Sequence, residues 1–359
     1  MSLSEYGFDA YCESLPNTKE IISPSVTARV IAEYRGAYTC ATERDKVSAR
    51  LTGAFRDRLV RSIDYPAVGD WVVLEQGEDA DNRRIESILP RRTILTRKLP
   101  GRVTEEQTLA ANVDTVCIVF ALDEARNYNV RLAERYVTAV WDSGAVPLIV
   151  LNKADLSDNA EVIREHMEIA APRVEIIGAS TVTGEGVHTL SERFSKETTV
   201  AFVGRSGVGK SSLVNAIAGE TIMAVGEVRE ADSKGRHTTT HRQLTRLKSG
   251  ILVVDTPGLR EFGLFTGEDA LDSTFDEIAE IAKSCRFSDC AHQSEPGCAV
   301  QAALEDGSLN RERYENYLRL QRELAYMKRK EAQRANKTRD ARGKQIAAFQ
   351  KQLKKLRGR

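Results

Sequence analysis

A glycine-rich stretch at residues 204–211 has the residue types and spacing of a loop that wraps a phosphate group. Gly204, Gly209, Lys210 and Ser211 occupy the defining positions of the pattern G-x-x-x-x-G-K-[ST]. An apolar run precedes the stretch and a helix-like run follows it, so backbone N–H groups are predicted to converge on one anion. The alternative is a glycine-rich turn before a helix. The predicted phosphate-loop residues are Gly204, Arg205, Ser206, Gly207, Val208, Gly209, Lys210, Ser211 and Ser212.

A second element, Asp255-Thr256-Pro257-Gly258, follows the apolar run 251–254. In a nucleoside triphosphate site, the Asp255 carboxylate is expected to hold Mg²⁺ through water, and the Gly258 N–H to face the γ-phosphate. The Lys210 ammonium is expected to reach the β- and γ-phosphates, and the Ser211 hydroxyl to bind the same Mg²⁺. Taken alone, the element also fits a strand followed by a Pro-Gly turn.

Residues 235–241 carry three consecutive threonines between two histidines. Such a segment suits a switch loop, in which a threonine binds both Mg²⁺ and the γ-phosphate. Thr238 and Thr239 are both candidates; the sequence does not distinguish them, and Thr239 is the working magnesium assignment. Because Leu259 stands where Ras-type enzymes carry a water-positioning glutamine, His237 is the candidate for that role. The expected catalytic set is therefore His237, Thr238, Thr239 and Lys210, and the alternative for His237 is a solvated loop histidine.

The tetrapeptide Asn152-Lys153-Ala154-Asp155 is typical of guanine recognition. It follows a predicted strand at 146–151, and ligands bind at such strand ends in doubly wound sheets. The Asp155 carboxylate can accept the N1 and N2 protons of guanine, a pair that adenine lacks, and Lys153 is expected to lie over the base plane. A second base contact is predicted at Ser180, in the loop 180–187. This base motif precedes the phosphate loop in the chain, the reverse of the ordinary GTPase order, so a circular permutation is predicted.

Three of the six cysteines cluster with a histidine as Cys285-x4-Cys290-x-His292-x5-Cys298. Four soft ligands in so short a segment predict one tetrahedral, structural zinc site. All four positions are filled by protein, which argues against a catalytic metal. A reducing compartment favours metal binding over disulfides, and no secretory leader or apolar span is visible. We therefore expect a cytoplasmic protein that does not enter a membrane.

Charge is unevenly distributed along a chain whose net charge is zero. Residues 301–359 hold 17 Lys and Arg against 7 Asp and Glu. A solvated surface is the usual explanation for such a run, but the single sign of the charge favours a polyanion partner. The basic residues Arg91 and Arg92, with Arg97 and Lys98, are expected either to join two domains or to contact phosphate.

Pattern changes divide the chain into five predicted segments. Five short strand-like runs before residue 90 predict a small barrel, either an OB-fold or an SH3-like barrel. Alternating strands and helices then predict a mostly parallel sheet covered on both faces. The segments are an N-terminal extension (1–20), an OB-fold β-barrel (21–100), a circularly permuted α/β P-loop GTPase domain (101–264), a zinc-knuckle domain (265–310) and a basic helical tail (311–359).

Together, these motifs and their order resemble the RsgA family of circularly permuted GTPases, which act in small ribosomal subunit biogenesis. The resemblance implies GTP hydrolysis stimulated by the small subunit, contact with its rRNA near the decoding region, a late maturation checkpoint, and action as a monomer. As a physical hypothesis, GTP with Mg²⁺ orders the switch segment around Thr238 and Thr239 and favours the ribosome-bound state, and hydrolysis removes those contacts and releases the protein. One residue departs from the usual base loop, since Thr181 stands where alanine is common. Two alternatives remain: a GTP-dependent switch acting on a non-ribosomal RNA or protein, and an RNA chaperone with vestigial hydrolysis.

Overall fold

The computed structural model describes residues 2–15, 23, 25–34, 36–75, 83–98, 106–123, 128–223, 242–255, 271, 273–326 and 328–329. The chain forms two compact units. One comprises Met1–Leu99 and Glu105–Phe265, and the other comprises Pro100–Thr104 and Thr266–Arg359.

The first residues are packed rather than loose, which corrects the expectation of a loose N-terminal extension. Helix α1 (Phe8–Glu13) follows a short 3-10 turn. Its Phe8 and Tyr11 rings lie 5.1 Å and 5.3 Å from the ring of Trp71, which is almost fully buried. The Tyr11 hydroxyl donates to the Pro90 carbonyl at 2.7 Å. Buried aromatic area at this position stabilises the segment against the barrel.

The predicted barrel is present and has OB topology. Its core forms because inward residues alternate with outward ones, most clearly in the third strand. The strands Lys46–Leu51, Ala37–Ala41, Thr27–Tyr34, Trp71–Leu74 and Arg83–Ile88 pair antiparallel in that order. The first and last of this series then pair parallel with each other and close the barrel. This closure confirms the OB-fold over an SH3-like barrel. The elements are β1 (Thr27–Tyr34), β2 (Ala37–Ala41), β3 (Lys46–Leu51), α2 (Gly53–Arg56), β4 (Trp71–Leu74) and β5 (Arg83–Ile88).

A hairpin crosses the predicted boundary between the barrel and the α/β domain. Strands β6 (Ile94–Lys98) and β7 (Glu106–Ala111) pair antiparallel across residue 100. At the close of the hairpin, Ala111 packs on the barrel so tightly that a Cβ on Gly69 would lie 2.0 Å from the Ala111 carbonyl oxygen. Arg91 pairs with buried Asp70 and Arg92 with Asp114, each at 2.8 Å or less, so both arginines join the segment between the barrel and the sheet to its neighbours.

The α/β part is a mostly parallel sheet with helices on its faces, as predicted. Across the sheet, the strands follow the order Glu175–Ala179, Val146–Asn152, Thr115–Ala121, Thr199–Val203, Leu252–Asp255 and Arg242–Arg246. The first five are parallel, and the last runs antiparallel to its neighbour. The strands are nearly continuous apolar runs because both faces are covered. The elements are β8 (Thr115–Ala121), α3 (Val130–Asp142), β9 (Val146–Asn152), α4 (Ala160–Ala170), β10 (Glu175–Ala179), α5 (Val187–Glu192), β11 (Thr199–Val203), α6 (Lys210–Ala218), β12 (Arg242–Arg246) and β13 (Leu252–Asp255).

The sheet and the barrel are continuous within the first unit, because β12 also pairs antiparallel with β1 of the barrel. Arg29, fully buried on β1, reinforces this junction. Its guanidinium donates to the carbonyls of Tyr6, Gly69 and Asn112 and to the Thr199 hydroxyl. Burial lowers the pKa of Arg29 to about 10, so the side chain keeps its charge at neutral pH. One side chain therefore connects the N-terminal segment, the barrel and the sheet.

Within the described residues, the second unit includes the helices α7 (Asp276–Ala282), α8 (Ala299–Glu305) and α9 (311–326). Arg313 on α9 pairs with Glu277, donates to the Thr274 carbonyl at 2.8 Å and lies 4.7 Å from the centre of the Phe275 ring. Leu320 and Leu324 of α9 are also buried. The first part of the predicted basic tail is thus part of the unit that carries the cysteine cluster. Residues 330–359 lie outside the described residues.

Candidate functional site

The predicted nucleotide residues lie at one edge of the sheet. Parallel strands end together, and the pairing registers place Ala121 beside Asn152 and Asn152 beside Ala179. Strands β11 and β13 end at Val203 and Asp255 on the same edge. Ligands of doubly wound sheets bind at this edge. The topology therefore gathers Asn152, Ser180, Gly204 and Asp255, which are far apart in the chain.

The phosphate loop has the backbone that its glycines allow. Gly204, Gly207 and Gly209 have φ values of 139°, 82° and 91°, which L side chains rarely adopt. A Cβ on Gly204 would lie 2.4 Å from the Val119 carbonyl oxygen, so the loop is pressed against β8. Lys210 begins α6, and its Nζ donates to the carbonyls of Gly204 and Arg205 at 2.9 Å and 2.7 Å. The loop thus curves around an ammonium group at a helix N-terminus, an arrangement that suits phosphate.

Asn152 ties the base motif to the phosphate loop. Its side chain is almost fully buried, and its Nδ2 donates to the Val208 carbonyl at 2.8 Å. Gly209 has no side chain to obstruct this bond, since a Cβ there would lie 2.2 Å from Nδ2. The two motifs, 56 residues apart in the chain, are held in one geometry.

The rest of the base motif projects from the sheet edge. Lys153 has a left-handed backbone, with φ 60°, and its ammonium pairs with Asp123. Ala154 and Asp155 form a short 3-10 turn, in which Asp155 is exposed and its carboxylate is accessible to a ligand. Sequence reasoning missed Asp123. The available signal was an acidic residue just beyond the end of a strand next to β9.

The loop predicted to contact the base a second time is tightly folded around Ser180, which is fully buried. The Ser180 hydroxyl accepts from the N–H groups of Val182 and Thr183, both at 3.2 Å. A Cβ on Gly186 would lie 1.9 Å from the Gly178 carbonyl oxygen, so this glycine allows the loop to close. Thr181 is half-buried, and the loop accommodates it where alanine is common.

The predicted magnesium residues are only partly within the described chain. Ser211 and Ser212 lie half-buried in the first turn of α6, and Asp255 is exposed at the end of β13. The remaining predicted residues lie outside the described residues and keep their status as predictions: His237, Thr238, Thr239 and Gly258.

The four predicted zinc ligands converge in the second unit. The sulfur atoms of Cys285, Cys290 and Cys298 and a ring nitrogen of His292 all lie within 4.8 Å of one another. His292 Nδ1 lies 3.5 Å from both the Cys285 and Cys298 sulfurs, which are 4.0 Å apart. A tetrahedral zinc requires S···S separations of about 3.8 Å and S···N separations of about 3.6 Å. The donor set and its spacing therefore fit Zn²⁺.

Residues outside the ligand set hold the knuckle in shape. His292 has a left-handed backbone, with φ 57°, and its carbonyl accepts from Gln301 Nε2 at 2.5 Å and from the Tyr314 hydroxyl at 3.2 Å. The Glu295 carboxylate accepts three backbone N–H groups of the same loop, at 2.8–3.0 Å. These hydrogen bonds, led by the one from Gln293, lower the pKa of Glu295 to about 2. No sequence motif marked Gln301, Tyr314 or Glu295.

Family models match two ranges of the chain. A model described as RsgA GTPase matches residues 88–265. A model described as ABC transporter matches residues 187–354, a range that contains the phosphate loop common to both classes. Among the described residues, no helix is long and apolar enough to cross a membrane.

Curated relatives match over nearly the whole chain. The chain is 41% identical over 331 residues to "Small ribosomal subunit biogenesis GTPase RsgA 2" of Listeria monocytogenes serotype 4b (strain F2365), covering 92% of this chain and 91% of that protein. It is 39% identical to "Small ribosomal subunit biogenesis GTPase RsgA" of Opitutus terrae (strain DSM 11246 / JCM 15787 / PB90-1), covering 100% of both chains.

Two solved structures share the fold. YjeQ from Thermotoga maritima has a TM-score of 0.62 at 28% identity, covering 84% of this chain and 98% of that one. YloQ, described as a circularly permuted GTPase, has a TM-score of 0.60 at 28% identity, covering 84% of this chain and 95% of that one. With a guanine motif preceding a phosphate loop on one sheet edge, and with relatives of this similarity, the chain belongs to the RsgA family of circularly permuted GTPases.

Proposed function

We propose that this GTPase binds the small ribosomal subunit and its rRNA when loaded with GTP, and that hydrolysis drives its own release during late subunit maturation. The names of the curated relatives support the partner, since they are small ribosomal subunit biogenesis GTPases. An OB-fold often binds oligonucleotides, and the positive charge of residues 301–359 suits RNA. The protein is proposed to act as a monomer in the cytoplasm.

The observation that carries the nucleotide assignment is the hydrogen bond from Asn152 Nδ2 to the Val208 carbonyl. It joins a guanine motif to a phosphate loop, so base and phosphates of one nucleotide can be held together. We assign the base to the four residues 152–155 and to Ser180. Asp155 accepts the N1 and N2 protons of guanine, and an unpaired carboxylate would disfavour adenine.

We assign the phosphates to residues 204–212. Backbone N–H groups of the loop and the Lys210 ammonium stabilise the charge on the β- and γ-phosphates. The Gly258 N–H is proposed to contact the γ-phosphate. His237 is proposed to orient the attacking water, and Thr238 or Thr239 to close over the γ-phosphate.

Two metals are proposed. Mg²⁺ would be held by Ser211, Thr239 and Asp255, and it would neutralise charge between the β- and γ-phosphates. One structural Zn²⁺ would be held by Cys285, Cys290, His292 and Cys298, whose spacing supports it. Metal content of the purified protein, before and after a chelator, tests the zinc assignment, and one equivalent of zinc per chain is expected.

The deciding experiment is GTP turnover by the full chain alone, with equimolar small ribosomal subunits, and with large subunits as the control. We expect stimulation by small subunits only.

The variant Asp155→Asn tests the base assignment, because it keeps the size of the side chain but replaces an acceptor by a donor. It should relax the preference for GTP over ATP, and retained selectivity would contradict the base assignment.

The outcomes separate the remaining alternatives. Equal slow turnover in all three mixtures would remove the ribosome from the proposal and leave a GTP-dependent switch with another RNA or protein partner. Absence of multiple turnover under every condition would indicate an RNA chaperone with a vestigial GTPase. A further test is co-sedimentation with small subunits, which should be stronger with a non-hydrolysable GTP analogue than with GDP.

A further inference from the structure

We propose that Asp123 is a positioning residue of the guanine site. Its carboxylate holds the Lys153 ammonium, so that the apolar stem of Lys153 lies against the base plane. The inference rests on the nucleotide assignment above and adds a residue that no motif contains.

Strand register brings the two residues together. Strands β8 and β9 are parallel neighbours, and Ala121 at the end of β8 pairs with Asn152 at the end of β9. The pairing continues beyond the strands, because the Leu122 N–H donates to the Asn152 carbonyl at 2.9 Å. Asp123 and Lys153 are the next residues along each chain segment. Their side chains form an ion pair at the sheet edge where the base is proposed to bind.

The backbone also directs Lys153 toward this partner. Lys153 has φ 60°, a left-handed conformation that L side chains rarely adopt. The conformation sets the direction in which the side chain leaves the sheet edge. Asn152, immediately before it, is fixed by its buried bond to Val208. The backbone that carries the Lys153 side chain is therefore fixed, and only the long stem of this side chain remains to be ordered. The Asp123 carboxylate orders this stem by pairing with the ammonium group at its end.

Stability alone is a poor explanation for this pair. The Lys153 and Asp123 side chains are half-buried, at 29% and 23% exposed, and they remain accessible to solvent, which screens the pair and reduces its contribution to folding. Lysine has a flexible stem whose ordering opposes binding. A lysine already held by Asp123 is ordered before the nucleotide arrives. The expected effect of the pair is therefore on nucleotide affinity.

The effect of removing Asp123 on nucleotide affinity and on turnover can be predicted, because GTP and GDP have the same base. GTP and GDP carry the same base, so loss of Asp123 should weaken both to the same degree. The reacting phosphates are bound by Lys210 and the loop, so kcat at saturating GTP should not change while KM rises. Ordering one long side chain corresponds to a loss of affinity on the order of threefold to tenfold.

The test uses the full chain with Asp123→Ala, Asp123→Asn, Lys153→Ala and the double variant of Asp123→Ala with Lys153→Ala. Glu168→Ala is the matched control, since it removes the carboxylate of an exposed pair with Arg164 on α4. Equilibrium affinities for GTP and GDP, kcat and KM are measured, and melting temperature reports on folding. We expect both Asp123 variants to lose affinity at an unchanged melting temperature, Glu168→Ala to match the wild type, and the double variant to equal Lys153→Ala.

Three results would overturn the inference. These are unchanged affinity in both Asp123 variants, a fall in kcat without a rise in KM, or a further loss when Asp123→Ala is added to Lys153→Ala. The last would show that Asp123 does not act through Lys153. Failure of the wild-type chain to bind GTP or GDP would instead refute the nucleotide assignment itself, so the two failures are distinguishable.

Discussion

Gly209→Ala should uncouple the phosphate loop from the base motif, and Gly219→Ala is its matched control. The two glycines cap opposite ends of the same helix, α6, and both have left-handed backbones, with φ 91° and 68°. They differ in their surroundings. A Cβ at position 209 would lie 2.2 Å from Asn152 Nδ2, whereas a Cβ at position 219 would meet nothing within 4 Å.

The expected loss in the free energy of unfolding for each variant follows from this difference in surroundings. Placing alanine in a left-handed conformation costs roughly 1–2 kcal/mol at either site. At position 209 the buried Asn152 amide must also move away from the Val208 carbonyl, and losing a buried hydrogen bond costs about 1–3 kcal/mol. Gly209→Ala should therefore lower the free energy of unfolding by about 2–5 kcal/mol, against about 1–2 kcal/mol for Gly219→Ala.

The assay pairs urea unfolding with equilibrium binding of fluorescent GDP. Because Asn152 leads into the base motif, we expect Gly209→Ala to weaken nucleotide binding by at least about tenfold, the equivalent of 1.4 kcal/mol. Gly219→Ala should bind as the wild type does. Equal stability losses and equal affinities for the two variants would refute the proposed role of the Asn152–Val208 bond.

Two further predictions concern the core. Arg29→Met should lower the free energy of unfolding by about 3–5 kcal/mol, because four buried acceptors lose a charged donor. Arg61→Met, at a side chain that is 75% exposed, should change it by less than about 1 kcal/mol in the same urea titration, and similar losses would contradict the argument. Burial raises the pKa of Cys40 to about 12 and also raises the pKa of Cys117, so both stay protonated in the folded protein, whereas unfolded thiols ionise near pH 8.5. Burial of the two neutral thiols therefore contributes its full stability below about pH 8.5. The free energy of unfolding should fall by on the order of 1 kcal/mol per thiol by pH 9.5, because the unfolded thiols ionise. Cys40→Ala should reduce this fall in unfolding measured across the same pH range.

The strands, helices and motifs could be predicted from the sequence because each depends on the spacing of residues that are close together in the chain. The five barrel strands follow from short alternating runs, and the sheet from alternating strands and helices. The phosphate loop, Asn152–Asp155 and the Cys₃His cluster are defined by residues close together in the chain. Even the permutation is an order of motifs and needs no coordinates.

Contacts between distant residues could not be predicted in the same way. The N-terminal residues read as a loose extension because six helical residues carry little periodic signal, yet Phe8 and Tyr11 pack on Trp71. The predicted tail was interpreted as a basic helix with a polyanion partner, and no local pattern marked any residue of it for burial. The structure instead buries Arg313 against Glu277 and Phe275, because an ion pair and a ring compensate its charge.

The sequence by itself determined the motifs of this protein: a predicted guanine motif, a phosphate loop and a Cys₃His cluster that could hold zinc, each specified by side-chain type and spacing. The tertiary structure decided how these parts are joined. The parallel β3–β5 closure selected the OB-fold, β12 made barrel and sheet continuous, and strand register placed Asp123 beside Lys153. These pairings depend on which strands become neighbours, and that is set by packing of the whole chain rather than by any local pattern.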